Sequence, residues 1–126
     1  MSPSAQPAGP GTPAPSPRDI LLVLSNLPSR ELALSIGEQM VGAGLAACVN
    51  LLAPCVSMYR WEGRVQRDEE HPMLLKTTRA RYPELEAALR AAHPYEVPEI
   101  IAVPLAAGLP DYLAWVEKMT ESDISG

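Results

Sequence analysis

The sequence predicts an α+β domain in which an antiparallel sheet carries helices on one face, and three observations predict it. Short apolar runs of strand length alternate with stretches whose apolar residues recur at helical spacing. A Glu62-Gly63 pair sits between apolar and aromatic flanks, the composition of a tight hairpin turn. Apolar residues make up 47% of a 126-residue chain, which is enough to fill one core at a length that suits one domain.

The elements follow in order. Residues 1–18 hold six prolines among Ser, Ala and Gly without apolar periodicity, so they are expected to form a disordered tail, with the folded domain spanning 19–126. Ile20 to Ser25 is a short apolar run suited to a buried strand. Ser29 is placed as an N-cap for a helix in which Leu32, Ile36 and Met40 share one face, and Glu31 suits the first turn. Gly42 and Gly44 close that helix. Ala46 to Leu52, Val56 to Trp61 and Met73 to Thr78 read as strands around the Glu62-Gly63 turn. Pro54 and Pro72 stand nine residues on either side of Gly63, so both hairpin strands are expected to bend there. Pro83 opens a second helix with Leu85, Ala88, Leu89 and Ala92 inward, and His93-Pro94 ends it. Ile100 to Val103 is a further strand. Leu109 to Met119 is a last helix with Tyr112, Trp115, Val116 and Met119 on one face. The order βαββαβ plus a C-terminal helix is the ferredoxin-like arrangement.

The central hairpin is too long for its own domain. The stretch from Cys48 to Glu62, if extended, spans roughly 50 Å, whereas a domain with a radius of gyration of about 13 Å is only about 35 Å across. The overhanging part carries Tyr59, Trp61, Met58 and Val65, and an isolated two-stranded ribbon is marginal in water. The economical cover is another copy of the chain.

Composition excludes several classes of function. The net charge is -5 and no stretch gathers several Lys or Arg, which argues against nucleic acid and against an anionic membrane surface. The first apolar run is far shorter than a span or a signal core, so a cytoplasmic protein is expected. Cys48 and Cys55 lie roughly 23 Å apart on an extended chain, too far to bridge, and are expected to be reduced and mostly buried. No GxSxG, HExxH, glycine-rich phosphate loop or Cys–His spacing is present, so no enzyme is expected.

Three blocks carry a family resemblance: Leu45-Ala46-Ala47-Cys48-Val49-Asn50; Tyr59 with Trp61-Glu62-Gly63, Glu70 and Leu75-Lys76-Thr77; and HPYEVPEI at residues 93–100, followed by Val103-Pro104, Gly108 and Tyr112-Leu113-x-Trp115. In order and spacing, over residues 19–119, the chain resembles the CutA divalent-cation tolerance proteins. The resemblance implies a non-enzymatic homotrimer with hairpins meeting edge to edge, linked to tolerance of copper and other divalent ions. In shape such a trimer is similar to PII-type signalling proteins, which bind small molecules between subunits.

The residues admit two readings each. The resemblance makes His93 a metal candidate, for copper or another divalent cation bound weakly. However, Ser25 and Ala92 stand where some relatives carry a Cys and a further His. A helix-terminal His bonding the last carbonyls of its helix, and favoured by the helix dipole, is the plainer reading. His71, beside Asp68-Glu69-Glu70, is either a loose cation contact or part of a solvated charge run. Lys76 interrupts an apolar strand, and either pairs with Glu70, Glu62 or Glu99 across a subunit boundary or faces an inter-subunit cleft with Tyr95 and Glu96. Pro94 and Pro98 stiffen the connector between, fixing where Tyr95 and Glu96 point. Tyr59, Trp61 and Trp115 are assigned to core or interface packing. Arg64 stands where the family commonly has Lys, keeping the charge but changing its shape.

Overall fold

The computed structural model describes residues 14–121. The elements are β1 (Ile20–Leu27), α1 (Arg30–Gly42), β2 (Cys48–Leu51), β3 (Cys55–Trp61), β4 (Arg64–Thr78), α2 (Tyr82–Ala92), β5 (Ile100–Pro104) and α3 (Pro110–Met119). They form a mixed α+β fold whose antiparallel sheet runs β2-β4-β1-β5, with β3 paired to the distal part of β4. Most of the expected tail lies outside the described residues. Its last part is tied to the domain, because Ala80 N–H donates to Pro17 O at 3.0 Å and Asp19 N–H donates to Ser16 O at 3.0 Å.

Local chemistry explains the element ends. Ser29 is extended, and its Oγ accepts from Leu32 N–H at 3.2 Å, satisfying one of the orphan donors of α1. Gly37 lets α1 settle onto β2, since a Cβ there would meet Val49 Cγ1 at 3.2 Å. Pro83 lies in the first turn of α2, where its missing N–H costs nothing. Glu62 (φ 50°) and Gly63 (φ 78°) both take left-handed backbone, the signature of a two-residue type I′ hairpin turn. Glycine accepts that geometry freely, whereas Glu62 does so against a steric cost.

The sheet alternates cleanly. Val23 and Leu27 of β1 and Met73 and Leu75 of β4 point to one face, where Ala33, Ile36 and Met40 of α1 and Leu85 and Leu89 of α2 cover them. Fully burying a side chain of this size contributes about 1.5–3 kcal/mol, so this one cluster carries most of the fold. Helix α3 departs from the expected one-face arrangement. It contributes Val116 to a separate small cluster with Ile20 and Ala47, and the alternation of β1 puts Ile20 on the face opposite Val23. Within the subunit the stripe expected on α3 is only partly covered. Val116 is buried, but Tyr112, Trp115 and Met119 remain about two-fifths exposed (39%, 41% and 42%).

The hairpin differs from expectation in how it bends. Only one strand is interrupted. Between Leu51↔Met73 and Cys55↔Glu70 the β2–β3 side has one residue more than β4, so the register slips by one at 52–54, a bulge that includes Pro54. Strand β4 runs on through Pro72, whose carbonyl accepts from Leu52 N–H at 2.9 Å. The slip also turns Cys55 outward, so it is exposed rather than buried, while Cys48 is half-buried; both are free thiols.

Candidate functional site

The hairpin beyond this bulge is clothed on neither face. Val56, Met58 and Val65 are 62%, 69% and 73% exposed, and Trp61 on the opposite face is 62% exposed. A two-residue turn that pairs Trp61 with Arg64 also sets Ser57 opposite Asp68 and Cys55 opposite Glu70. Ser57, Tyr59, Trp61, Asp68 and Glu70 therefore share one face. Diagonal contacts follow: Ser57 Oγ donates to Glu70 Oε2 at 3.0 Å, and the Tyr59 hydroxyl donates to Asp68 Oδ2.

Tyr95 reaches the same place from the loop after α2. His93 precedes a proline and is extended (ψ 135°), which stops the helix and turns the ring back over the end of β1. There its Nε2 meets Asn26 O at 2.6 Å, while Nδ1 accepts from Tyr95 N–H at 3.2 Å. This pattern assigns the proton of a neutral ring to Nε2. The His93 and Tyr95 rings lie 4.7 Å apart. Burial first, and then the charges of Glu70 and Asp68, raise the Tyr95 phenol above its ordinary pKa. The hydrogen bond to Asp68 leads the same upward shift at Tyr59.

The residues expected in one cleft thus fall into separate places within a subunit. Glu70 and Tyr95 come together. Glu62 sits at the hairpin tip, about 20 Å along the strand from Glu70 at ordinary strand rise. Glu96 is next to Tyr95 and exposed. Lys76 lies farther down β4, and within the subunit its partners are Asn50 Oδ1 and, at 4.0 Å, Cys48 Sγ. Asp68, read from sequence as part of a charge run, and Ser57 belong to the Tyr95 cluster. The turn at Glu62-Gly63 was the signal that could have found them, because it fixes which residues face each other. Within the subunit Tyr59 is 45% exposed and bonds Asp68. Trp115 stacks at a tilt on Tyr112, with ring centres 5.7 Å apart.

A resident divalent metal is a poor fit to the side chains of one subunit. Both ring nitrogens of His93 already have backbone partners, so a metal there would have to displace Tyr95 N–H or Asn26 O. Ser25, at the position of the missing thiol, donates its hydroxyl to Glu99 O at 2.8 Å. His71 is half-buried and approaches Glu69 at 3.8 Å. Among the described residues no three His, Cys, Asp or Glu side chains converge on one point. Nor is any described helix long and apolar enough to cross a membrane.

The family model described as CutA1 divalent ion tolerance protein matches residues 21–119. The divalent-cation tolerance protein CutA of Thermus thermophilus is 44% identical over 99 residues, 79% of this chain and 96% of its own. Protein CutA of Mus musculus is 38% identical over 121 residues, 96% of this chain and 68% of its own. Among solved structures, the Thermus thermophilus divalent cation tolerance protein superposes with a TM-score of 0.79 at 43% identity, covering 81% of this chain and 99% of that one. CutA1 from Shewanella sp. SIB1 gives a TM-score of 0.81 at 36% identity, covering 82% of this chain and 97% of that one. The chain belongs to the CutA1 divalent ion tolerance family.

Proposed function

We propose that this protein acts without catalysis, as a homotrimer of ferredoxin-like subunits, in the tolerance of divalent metal ions, copper among them. The observation that carries the reading is the uncovered hairpin, which leaves Val56, Met58, Trp61 and Val65 exposed on its two faces. A monomer would hold these side chains against water, while sister subunits would bury them. The strand order β2-β4-β1-β5, with β2 and β3 as halves of one interrupted strand, supports the ferredoxin-like assignment. The number three comes from the family resemblance.

The part played by metal follows the family. With His93 and Ser25 already committed to backbone partners, ion binding is weak and rests on surface carboxylates. Calorimetry with Cu(II), Zn(II) and Co(II) tests this. Weak, unsaturating heats that are unchanged in His93→Gln agree with it, whereas a tight stoichiometric isotherm abolished by that variant refutes it. The cytoplasm is the proposed compartment. One solved relative, from Archaeoglobus fulgidus, is described as periplasmic and the Arabidopsis thaliana relative as chloroplastic, so cell fractionation decides the matter.

A second reading is a small-molecule module with clefts between subunits, as the likeness to PII-type proteins suggests. The convergence of Tyr95 on the Glu70–Asp68–Tyr59 face favours it, because that face would form one wall of such a cleft. A ligand that binds only the native state raises the melting temperature by mass action. A panel of nucleotides and metabolites without any thermal shift removes this reading.

A further inference from the structure

Lys76 is unusual among the cations of this fold. It is half-buried on β4, on the sheet face away from α1 and α2. Among the described residues no carboxylate lies within salt-bridge distance of it. A lysine removed from water is ordinarily paired with an acid. Here the partners are an amide oxygen, Asn50 Oδ1, and a thiol, Cys48 Sγ, at 4.0 Å. The ladder itself holds the amine beside the thiol, since Cys48 and Lys76 are direct cross-strand partners on one face of β2 and β4. Side chains opposed in this way have Cβ atoms roughly 4.5–5.5 Å apart. Asn50 contacts both groups, approaching Cys48 Sγ at 4.0 Å. Cys48 lies close enough to Tyr112 of α3 to add to the rise that burial gives the Tyr112 phenol.

We propose that Cys48 and Lys76 form a peroxide-responsive covalent link across the base of the hairpin. In the first step the Cys48 sulfur attacks hydrogen peroxide. The O–O bond breaks, one oxygen joins sulfur as a sulfenic acid, and the other leaves as water. In the second step the neutral Lys76 amine attacks that sulfur. An S–N bond forms, and the sulfenic oxygen leaves with a proton from the amine as a second water. Thiol, amine and peroxide thus give a sulfenamide and two waters: sulfur loses two electrons and the peroxide gains them. Two molecules of a thiol reductant reverse the link, returning thiol and amine and leaving one disulfide. Positioning by the ladder makes the second step effectively intramolecular. The closed loop encloses the whole hairpin, so the link restricts the unfolded chain as a disulfide would and raises stability while it lasts.

The test uses the full chain carrying Cys55→Ser, which removes the second, exposed thiol. The protein is treated with hydrogen peroxide, digested and weighed. The expected product joins the Cys48 and Lys76 peptides at a mass two hydrogens below their sum, and dithiothreitol separates them. The oxidised protein melts higher and returns to its first melting temperature on reduction. Lys76→Arg blocks the joining and leaves a sulfenic acid that dimedone traps. Amine labelling of Lys76 in the same protein provides a measure that needs no change at Lys76. Labelling lost after peroxide and regained after dithiothreitol supports the link. Cys48 carried on to sulfinic acid with Lys76 still labelled overturns it, as does a joined product that persists in Lys76→Arg.

Discussion

Met58→Lys separates a hairpin covered by sister subunits from one that stands alone. Val56, Met58 and Val65 share one face of the hairpin and are 62%, 69% and 73% exposed in the subunit. Fully burying such a side chain contributes about 1.5–3 kcal/mol, so covering the exposed two-thirds is worth about 1–2 kcal/mol each and about 3–6 kcal/mol for the three. A lysine at 58 forfeits its share of this and must also be stripped of water. Arg67 stands directly opposite within the same hairpin, so no acid is at hand there to pair the new charge when it is covered. An unpaired buried ion costs several kcal/mol after relaxation, so association weakens by more than about a hundredfold per subunit. In the lone subunit the new side chain meets water and Arg67 alone, and the change alters stability by no more than about 1 kcal/mol. Sedimentation velocity at micromolar protein reads the difference: the unmodified chain runs as an oligomer, and Met58→Lys shifts to slower species. An unchanged sedimentation coefficient together with an unchanged melting temperature would refute the reasoning.

Other outcomes follow from local features. Ser29→Ala removes the cap of α1 and lowers stability by about 1 kcal/mol in denaturant titration, with little loss on Ser29→Gly. Gly63→Val forces a β-branched residue to φ 78°, and should lower the melting temperature while Glu62→Gly raises it slightly. Alkaline titration of the phenols lags behind that of free tyrosine. Burial, followed by the hydrogen bond to Glu86, pushes the Tyr82 phenol up to about 12. A phenol whose folded pKa lies above its unfolded value contributes stability that is complete below about pH 10 and is lost as pH rises towards 12. Tyr82→Phe therefore flattens the fall in stability over that window; an unaltered profile contradicts the assignment.

Much of the fold was legible because its signals are local. Ser29, Pro83, His93-Pro94 and Glu62-Gly63 each act on the few residues beside them, and each marks an element end where expected. What was not legible depends on distant contacts. Helical spacing groups Tyr112, Trp115, Val116 and Met119, but it does not tell how wide a neighbour the helix will meet. Helix α3 meets a corner of the sheet, and Val116 alone of the four is fully covered. The one-residue slip at 52–54 reverses the expected burial of Cys55, and no composition rule distinguishes a broken strand from a bent one. His93 is satisfied by Asn26, 67 positions away, and within the subunit Lys76 meets Asn50 and Cys48 across the sheet. The pairing of Ser57 and Tyr59 with Glu70 and Asp68 was within reach, because a two-residue turn sets the register of the whole hairpin.

Native mass spectrometry of the full chain, purified without chelators and sprayed from volatile buffer at micromolar concentration, weighs the central claim most directly. A dominant species at three times the chain mass is the predicted result. A folded single subunit, narrow in charge and stable on dilution, would contradict it and would leave the exposed hairpin without a purpose.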